Sequence, residues 1–338
     1  SDCTVRVTDS AGNVSDALDV REFTVAIPPV LAQVTLVPTP TSDNTPYYTF
    51  SSNEAGTITY GGSCGSLSLS SAISGENKVT LTQPDNSTPL SDGTHNCTIK
   101  VTDNLSNASS LSVNTFEIDT IDPIVTEVTA VTTPGNDTTP SYTFRSTEAG
   151  TITYGGSCSS SDTSATVGDN DIDFRKPGGA VLDDDSYGDC TIKVTDGAGN
   201  TDNSTPLRVS TFIIDTTAPT VVSVYPTDNK SGVSITTDNI SVTFSEAMDN
   251  TSVTTNTDNT TCSGSFALSS DNFSNCVQMS SAPASSNSDK TFTLDPSDNL
   301  TGGTTYLTRV TTGVKDAAGN ALSSQYETSN GFSTKAGI

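Results

Sequence analysis

Apolar residues in this chain alternate with polar ones in short runs that end at Gly, Asn, Asp or Pro. Cys97, Ile99 and Val101 fall on one face of an extended segment, and Ile58, Tyr60 and Cys64 do so on another. The same period of two predicts strands over residues 34–37, 45–50, 56–60, 78–81, 97–102 and 114–118. Turn residues punctuate them at Asp43-Asn44, Pro84-Asp85-Asn86 and Ser91-Asp92-Gly93. Short strands at this spacing predict an all-β chain of sandwich domains.

The pattern repeats. Glu54-Ala55-Gly56-Thr57-Ile58-Thr59-Tyr60-Gly61-Gly62-Ser63-Cys64 returns unchanged at 148–158, and Cys97-Thr98-Ile99-Lys100-Val101-Thr102-Asp103 returns as 190–196. A worn copy of the second motif stands at Cys3 to Asp9, with Cys3 and Cys97, like Cys64 and Cys158, 94 positions apart. Residues 31–122 and 123–218 therefore read as two full repeats, joined through Asp119-Thr120-Ile121-Asp122-Pro123 and followed by Asp215-Thr216-Thr217-Ala218-Pro219. Short linkers that end in Pro predict closely joined domains. Residues 1–30 read as the C-terminal part of an incomplete domain, ending in a strand at Phe23-Thr24-Val25-Ala26. By the repeat, the partner of Cys3 belongs about 33 positions before it. Either the chain is a piece of a longer array, or the missing strands come from another subunit. Residues 219–338 are a different module, also built of strand-like runs such as 221–226, 240–244, 290–294 and 305–310.

Composition narrows the function classes. The formal charge of −25, from 39 acidic and 14 basic residues, repels phosphate backbones and excludes a nucleic-acid partner, while leaving cation binding open. Hydrophobic residues make up only 32% of the chain, with no Trp, which predicts thin cores. No apolar run is long enough for a membrane span. Seven cysteines at repeated spacings, no C-x-x-C and a single His point to disulfides rather than a metal–thiolate site, and hence to an oxidising compartment outside the cytosol.

The Glu-Ala-Gly-Thr-Ile-Thr-Tyr strand, the Val-Thr-Asp-x-Ala-Gly-Asn turn and the Asp-Thr-Thr-Ala-Pro linker resemble tandem bacterial immunoglobulin-like (Big) domains. Residues 243–249 and 314–320 are similar to the Ig-like module of bacterial S-layer proteins. Ser106 departs from the turn pattern, standing where Gly12, Gly199 and Gly319 stand. The resemblance implies an elongated array of Ig-like β-sandwiches and a non-enzymatic extracellular or cell-surface role as stalk, filament or surface layer. Its partners would be copies of itself or neighbouring domains of a longer chain. Strand addition at the incomplete domain offers a subunit joint. The alternative is an adhesin whose last module binds a glycan or a cell-surface protein through residues 250–290, which hold Phe266 and Phe273. Catalysis finds no footing: His95 is the only histidine, without an equivalent in the second repeat, and no G-x-S-x-G turn marks a nucleophile.

Two sets of residues carry candidate chemistry. A Cys64–Cys97 bond sits on the core side of its strands, Cys158–Cys190 is its copy, and Cys262–Cys276 is the local pair of the last module; each reads as a structural staple. The Asp-x-x-x-Asn turns, Asp9/Asn13, Asp103/Asn107, Asp196/Asn200 and Asp316/Asn320, read first as strand connections. Their side-chain oxygens, with those of Asp119, Asp122 and Asp215 in the linkers, are also the hard ligands calcium prefers. Asp183-Asp184-Asp185 reads as a solvated turn, and Glu54, Glu148 and Glu246 as residues that serve the fold.

Overall fold

A computed structural model describes residues 3–23, 25–201, 205–236 and 240–337. Among them every regular element is a β-strand, and no helix is long and apolar enough to cross a membrane. The chain divides into two compact units. One comprises residues up to Pro123 together with a segment from Thr195, and the other Ile124–Val194 with residues from 205 onward.

In the first unit, strands Leu31–Thr35, Tyr47–Ser52 and Gly75–Thr80 form one antiparallel sheet. Ala108–Ser112, Cys97–Thr102, Gly56–Gly62 and Ser71–Ala72 form a second, and Gly93–His95 pairs with Phe116–Ile118. The alternation read from sequence is the alternation of burial: Cys97, Ile99 and Val101 point inward while Thr98 and Lys100 face solvent. Tyr48, Phe50, Val79, Leu81, Ile99, Val101 and Phe116 close the core, each contributing about 1.5–3 kcal/mol of burial for the aliphatic and Phe side chains. Gly62 takes a positive φ of 75°, and a Cβ there would meet the Asn96 carbonyl at 2.1 Å, so only glycine fits where the strand turns toward Cys64.

The second unit repeats this plan and adds another. Val125–Thr129, Ser141–Ser146 and Gly168–Asp173 form a three-stranded sheet over a four-stranded one of Ser164–Ala165, Gly150–Gly155, Thr191–Thr195 and Leu207–Arg208, with Asp185–Tyr187 paired to Phe212–Ile214. Its core centres on Tyr142, Phe144, Phe174 and Phe212. From residue 221 onward a separate core, with Phe244, Phe266, Phe292 and Phe332, lies between two further sheets. One is Val221–Tyr225, Ile240–Phe244, Thr291–Leu294 and Ala284–Ser286; the other is Phe266–Ser269, Thr305–Val310 and Tyr326–Glu327, with Phe332–Ser333 also paired to Thr305–Val310. The first strand of all three sandwiches carries a register shift at the same place, at Gln33/Thr35, Glu127/Thr129 and Val221/Ser223. The residues inside the shifts, Val34, Val128 and Val222, point to solvent, as bulges on edge strands do.

Residues 3–30 contain only the hairpin of Thr4–Val5 with Leu18–Asp19. Phe23, Val25 and Ala26 are in no strand, and Thr24 lies outside the described residues. His95 does have an equivalent in the second repeat. His95 pairs with Phe116 and stacks on it, as Tyr187 pairs with and stacks on Phe212. A one-residue difference in spacing to the following cysteine hides this equivalence in the sequence.

Candidate metal centre

The cysteines fall into three disulfides, Cys64–Cys97, Cys158–Cys190 and Cys262–Cys276, and Cys3 is free and exposed. The first two bonds are buried in their cores, tying the two sheet-forming strands of each repeat across 33 and 32 positions.

The Asp-x-x-x-Asn turns share one geometry. In each, the Asp carboxylate accepts the backbone N–H of the Asn through one oxygen and its side-chain amide through the other, at 2.8–2.9 Å, in Asp9/Asn13, Asp103/Asn107, Asp196/Asn200 and Asp316/Asn320. These contacts, led by the Asn side-chain amide, hold the Asp9 and Asp103 carboxyls below their usual range. Asp271 and Asn275 make a fifth copy that the sequence reading passed over, because no Gly follows Asp271. Ser106 adopts the positive φ (70°) that glycine supplies elsewhere. Among the described residues neither Asp9, Asp103 nor Asp122 joins a group of three converging carboxylates.

Two of these turns reach back to a linker. The second amide hydrogen of Asn200 is donated to the Asp119 carbonyl at 2.8 Å, and that of Asn320 to the Asp215 carbonyl at 2.7 Å. At Asn320 this contact completes a cluster. Asp215 follows strand Phe212–Ile214 and donates its N–H to the Gly135 carbonyl. The adjacent Thr216 and Thr217 donate to Asp184, whose carboxyl is held low chiefly by the Thr216 and Thr217 hydroxyls. Asp184 is therefore a linker anchor. Asp92 does the same for Thr120 in the first repeat. Glu246 follows strand Ile240–Phe244. It is brought beside Asp316 by backbone pairing of the segment after it: Ala317 N–H to the Ala247 carbonyl, and Asp249 N–H to the Lys315 carbonyl.

The carboxylates of Asp215, Glu246 and Asp316 thus converge, with one oxygen from each within 4.8 Å of the others. Asp316 is only 1% exposed. Burial pushes the Glu246 carboxyl above its ordinary value, and the charges of Asp215 and Asp316 push it further the same way. Three anionic groups held together by backbone structure repel one another unless a proton or a cation joins them. The donors are all oxygens, without imidazole or thiolate, which suits a hard cation such as calcium over a transition metal. Asp215, Asp316 and Asn320 were legible as candidates. Glu246 was not, because a Glu before a strand-end Ala recurs in every module at Glu54, Glu148 and Glu246 and so reads as fold. The signal that could have found it is the joint recurrence of Asp119 or Asp215 in a linker with that Glu and the Asp of the following turn.

The strands and their pairing make this an all-β chain of tandem Ig-like domains. Its last module, residues 215–334, matches the family model of the bacterial Ig-like domain. No curated protein matches the chain. Among solved structures it is similar to the protocadherin gammaB7 EC3-6 cis-dimer (13% identity, 89% of this chain and 72% of that chain, TM-score 0.32). It is similar also to protocadherin gamma B2 extracellular cadherin domains 1–5 (12%, 99% and 71%, TM-score 0.29). A third likeness is to the Bacteroides ovatus mixed-linkage glucan utilization locus SGBP-B in complex with a mixed-linkage heptasaccharide (13%, 91% and 71%, TM-score 0.20). At these TM-scores the superpositions bear on neither function nor ligand.

Proposed function

We propose that the chain is a non-enzymatic extracellular scaffold whose Ig-like modules, residues 31–122, 123–218 and 219–338, build a cell-surface stalk, filament or surface layer, and that calcium fixes the linker at Asp215. The observation that carries this reading is the convergence of Asp215, Glu246 and Asp316, one carboxylate from the linker and two from the module it enters. A cation bound there ties the linker to that module, and the Asn320 amide on the Asp215 carbonyl pre-positions it. The remaining positions of a six- to eight-fold shell fall to second carboxylate oxygens, main-chain carbonyls and water. The single histidine supports a structural reading too: His95 is buried against Phe116 with its Nε2 bonded to the Ser91 carbonyl at 2.7 Å.

Residues 250–290 give little support to glycan recognition. Their two aromatics, Phe266 and Phe273, are buried, and Phe273 lies beneath the Arg309 guanidinium, so neither ring offers a stacking face to a sugar. Calorimetric titration of calcium into chelator-stripped chain tests the proposal. It predicts a binding event in the wild type that disappears in Asp316→Asn. An identical titration of the two proteins contradicts it.

A further inference from the structure

Residues 3–27 copy a structure that is complete elsewhere in the chain. The Val20 N–H donates to the Cys3 carbonyl (2.8 Å), as Val113 does to Cys97 (2.9 Å) and Val209 to Cys190 (3.1 Å). The Asp9–Asn13 staple is the copy of Asp103–Asn107. The hairpin register, Val5 opposite Leu18, is that of Ile99 opposite Leu111. This places Val5, Val7, Val20 and Phe23 at the positions of Ile99, Val101, Val113 and Phe116.

Those counterparts are core residues, whereas here they face solvent. Val7 is 67% exposed against 0% for Val101, and Phe23 66% against 1% for Phe116. With Val14, Leu18, Val25, Ile27 and Val30, all exposed, the segment presents on the order of 800–1,000 Å² of apolar surface. That is the scale of one side of a stable interface and more than an isolated soluble domain leaves bare. The repeats also show what covers such a face. Strand Gly56–Gly62 pairs antiparallel with Cys97–Thr102, Gly62 opposite Cys97, and Cys64, two residues on, closes the bond to Cys97.

We propose that residues 3–27 are an acceptor surface for a partner polypeptide segment, one that supplies an antiparallel strand of the Gly56–Gly62 type and, two residues past the position facing Cys3, a cysteine that bonds to Cys3. A folded second copy of this chain does not qualify, because all its other cysteines are already paired. The inference rests on the reading of the chain as a tandem Ig-like scaffold and makes the acceptor face one of its joints; it needs no calcium.

The test uses the 338-residue chain and a synthetic peptide with the sequence of residues 54–64, in a buffer of reduced and oxidised glutathione with a calcium chelator. Cys3 and the peptide thiol each give up one electron and one proton, and one glutathione disulfide is reduced to two glutathiones as the new S–S bond forms. Chelation separates this outcome from that of the calcium proposal. The expected result is a peptide–Cys3 disulfide formed in about ten-fold preference over a scrambled peptide with the same terminal cysteine. Slowed amide exchange at residues 4–7 should accompany it. Equal coupling of both peptides overturns the proposal, as does a Cys3–Cys3 dimer that forms in place of the adduct. Val7→Asp in the acceptor should bring the authentic peptide down to the level of the scrambled one.

Discussion

Replacing Glu246 by Gln should have opposite effects with and without calcium. In the absence of a cation, Glu246 faces two carboxylates within 4.8 Å. Coulomb's law at an effective dielectric of about 20 puts each ionised pair at that separation near 3 kcal/mol, and solvent at the half-buried Glu246 reduces the realised penalty to about 1–2 kcal/mol. Gln keeps the shape and removes the charge, so chelator-treated E246Q should be more stable by that amount, a rise in Tm of about 3–6 °C for a unit of this size. With calcium at about 100 times its dissociation constant the wild type should gain about 2.7 kcal/mol, roughly 5–10 °C, and E246Q much less. The pH dependence has a sign of its own. The folded-state pKa of Glu246 is raised, so without calcium the folded form binds the proton more tightly than the unfolded chain. Stability is then greatest below the ordinary glutamate pKa and falls as pH rises through the folded value. Calcium displaces that proton and reverses the trend. Differential scanning calorimetry of both proteins with and without chelator reads all of this. A lower Tm for E246Q in both conditions would refute the electrostatic reasoning.

Other perturbations test the surrounding structure. Removing the Cys64–Cys97 bond as a double Ala variant should cost about 3–4 kcal/mol in urea unfolding followed by circular dichroism, from the loop it closes. Ser106→Gly should raise stability by about 0.5–1 kcal/mol in the same assay, because Ser106 already holds a left-handed conformation. His95→Tyr should be stabilising by about 1 kcal/mol, since His95 leaves Nδ1 buried without a partner, whereas Tyr187 at the equivalent place bonds both the N–H and the carbonyl of Asp183. Burial pushes the Glu127 carboxyl up, but hydrogen bonds from Ser210 and Tyr142 outweigh it and leave it low. Its contribution should be present above the ordinary glutamate pKa and be lost as pH falls through the folded value. An acid titration of Glu127→Gln that matches the wild type would contradict this.

The strands were legible because their alternation is local: a face such as Cys97, Ile99, Val101 is buried or not as a set, and the repeat shows which set. The cysteine pairs were legible for the same reason. What the sequence hid depends on residues far apart in the chain. Glu246 reads as part of a strand end until Asp215 is brought to it over 31 positions and Asp316 over 70. Asp184 reads as one of three solvated acids until the threonines of the linker turn back onto it. His95 and Tyr187 are equivalents separated in register by a single residue, which only the pairing with Phe116 and Phe212 exposes.

The most direct test of the calcium-fixed linker is amide hydrogen exchange of the peptide spanning residues 213–222 in the full chain, measured in calcium and in chelator. The account predicts exchange at Asp215 to Thr217 slowed by about ten-fold or more when calcium is present, with no such protection in Asp316→Asn. Equal exchange in the two buffers would contradict it.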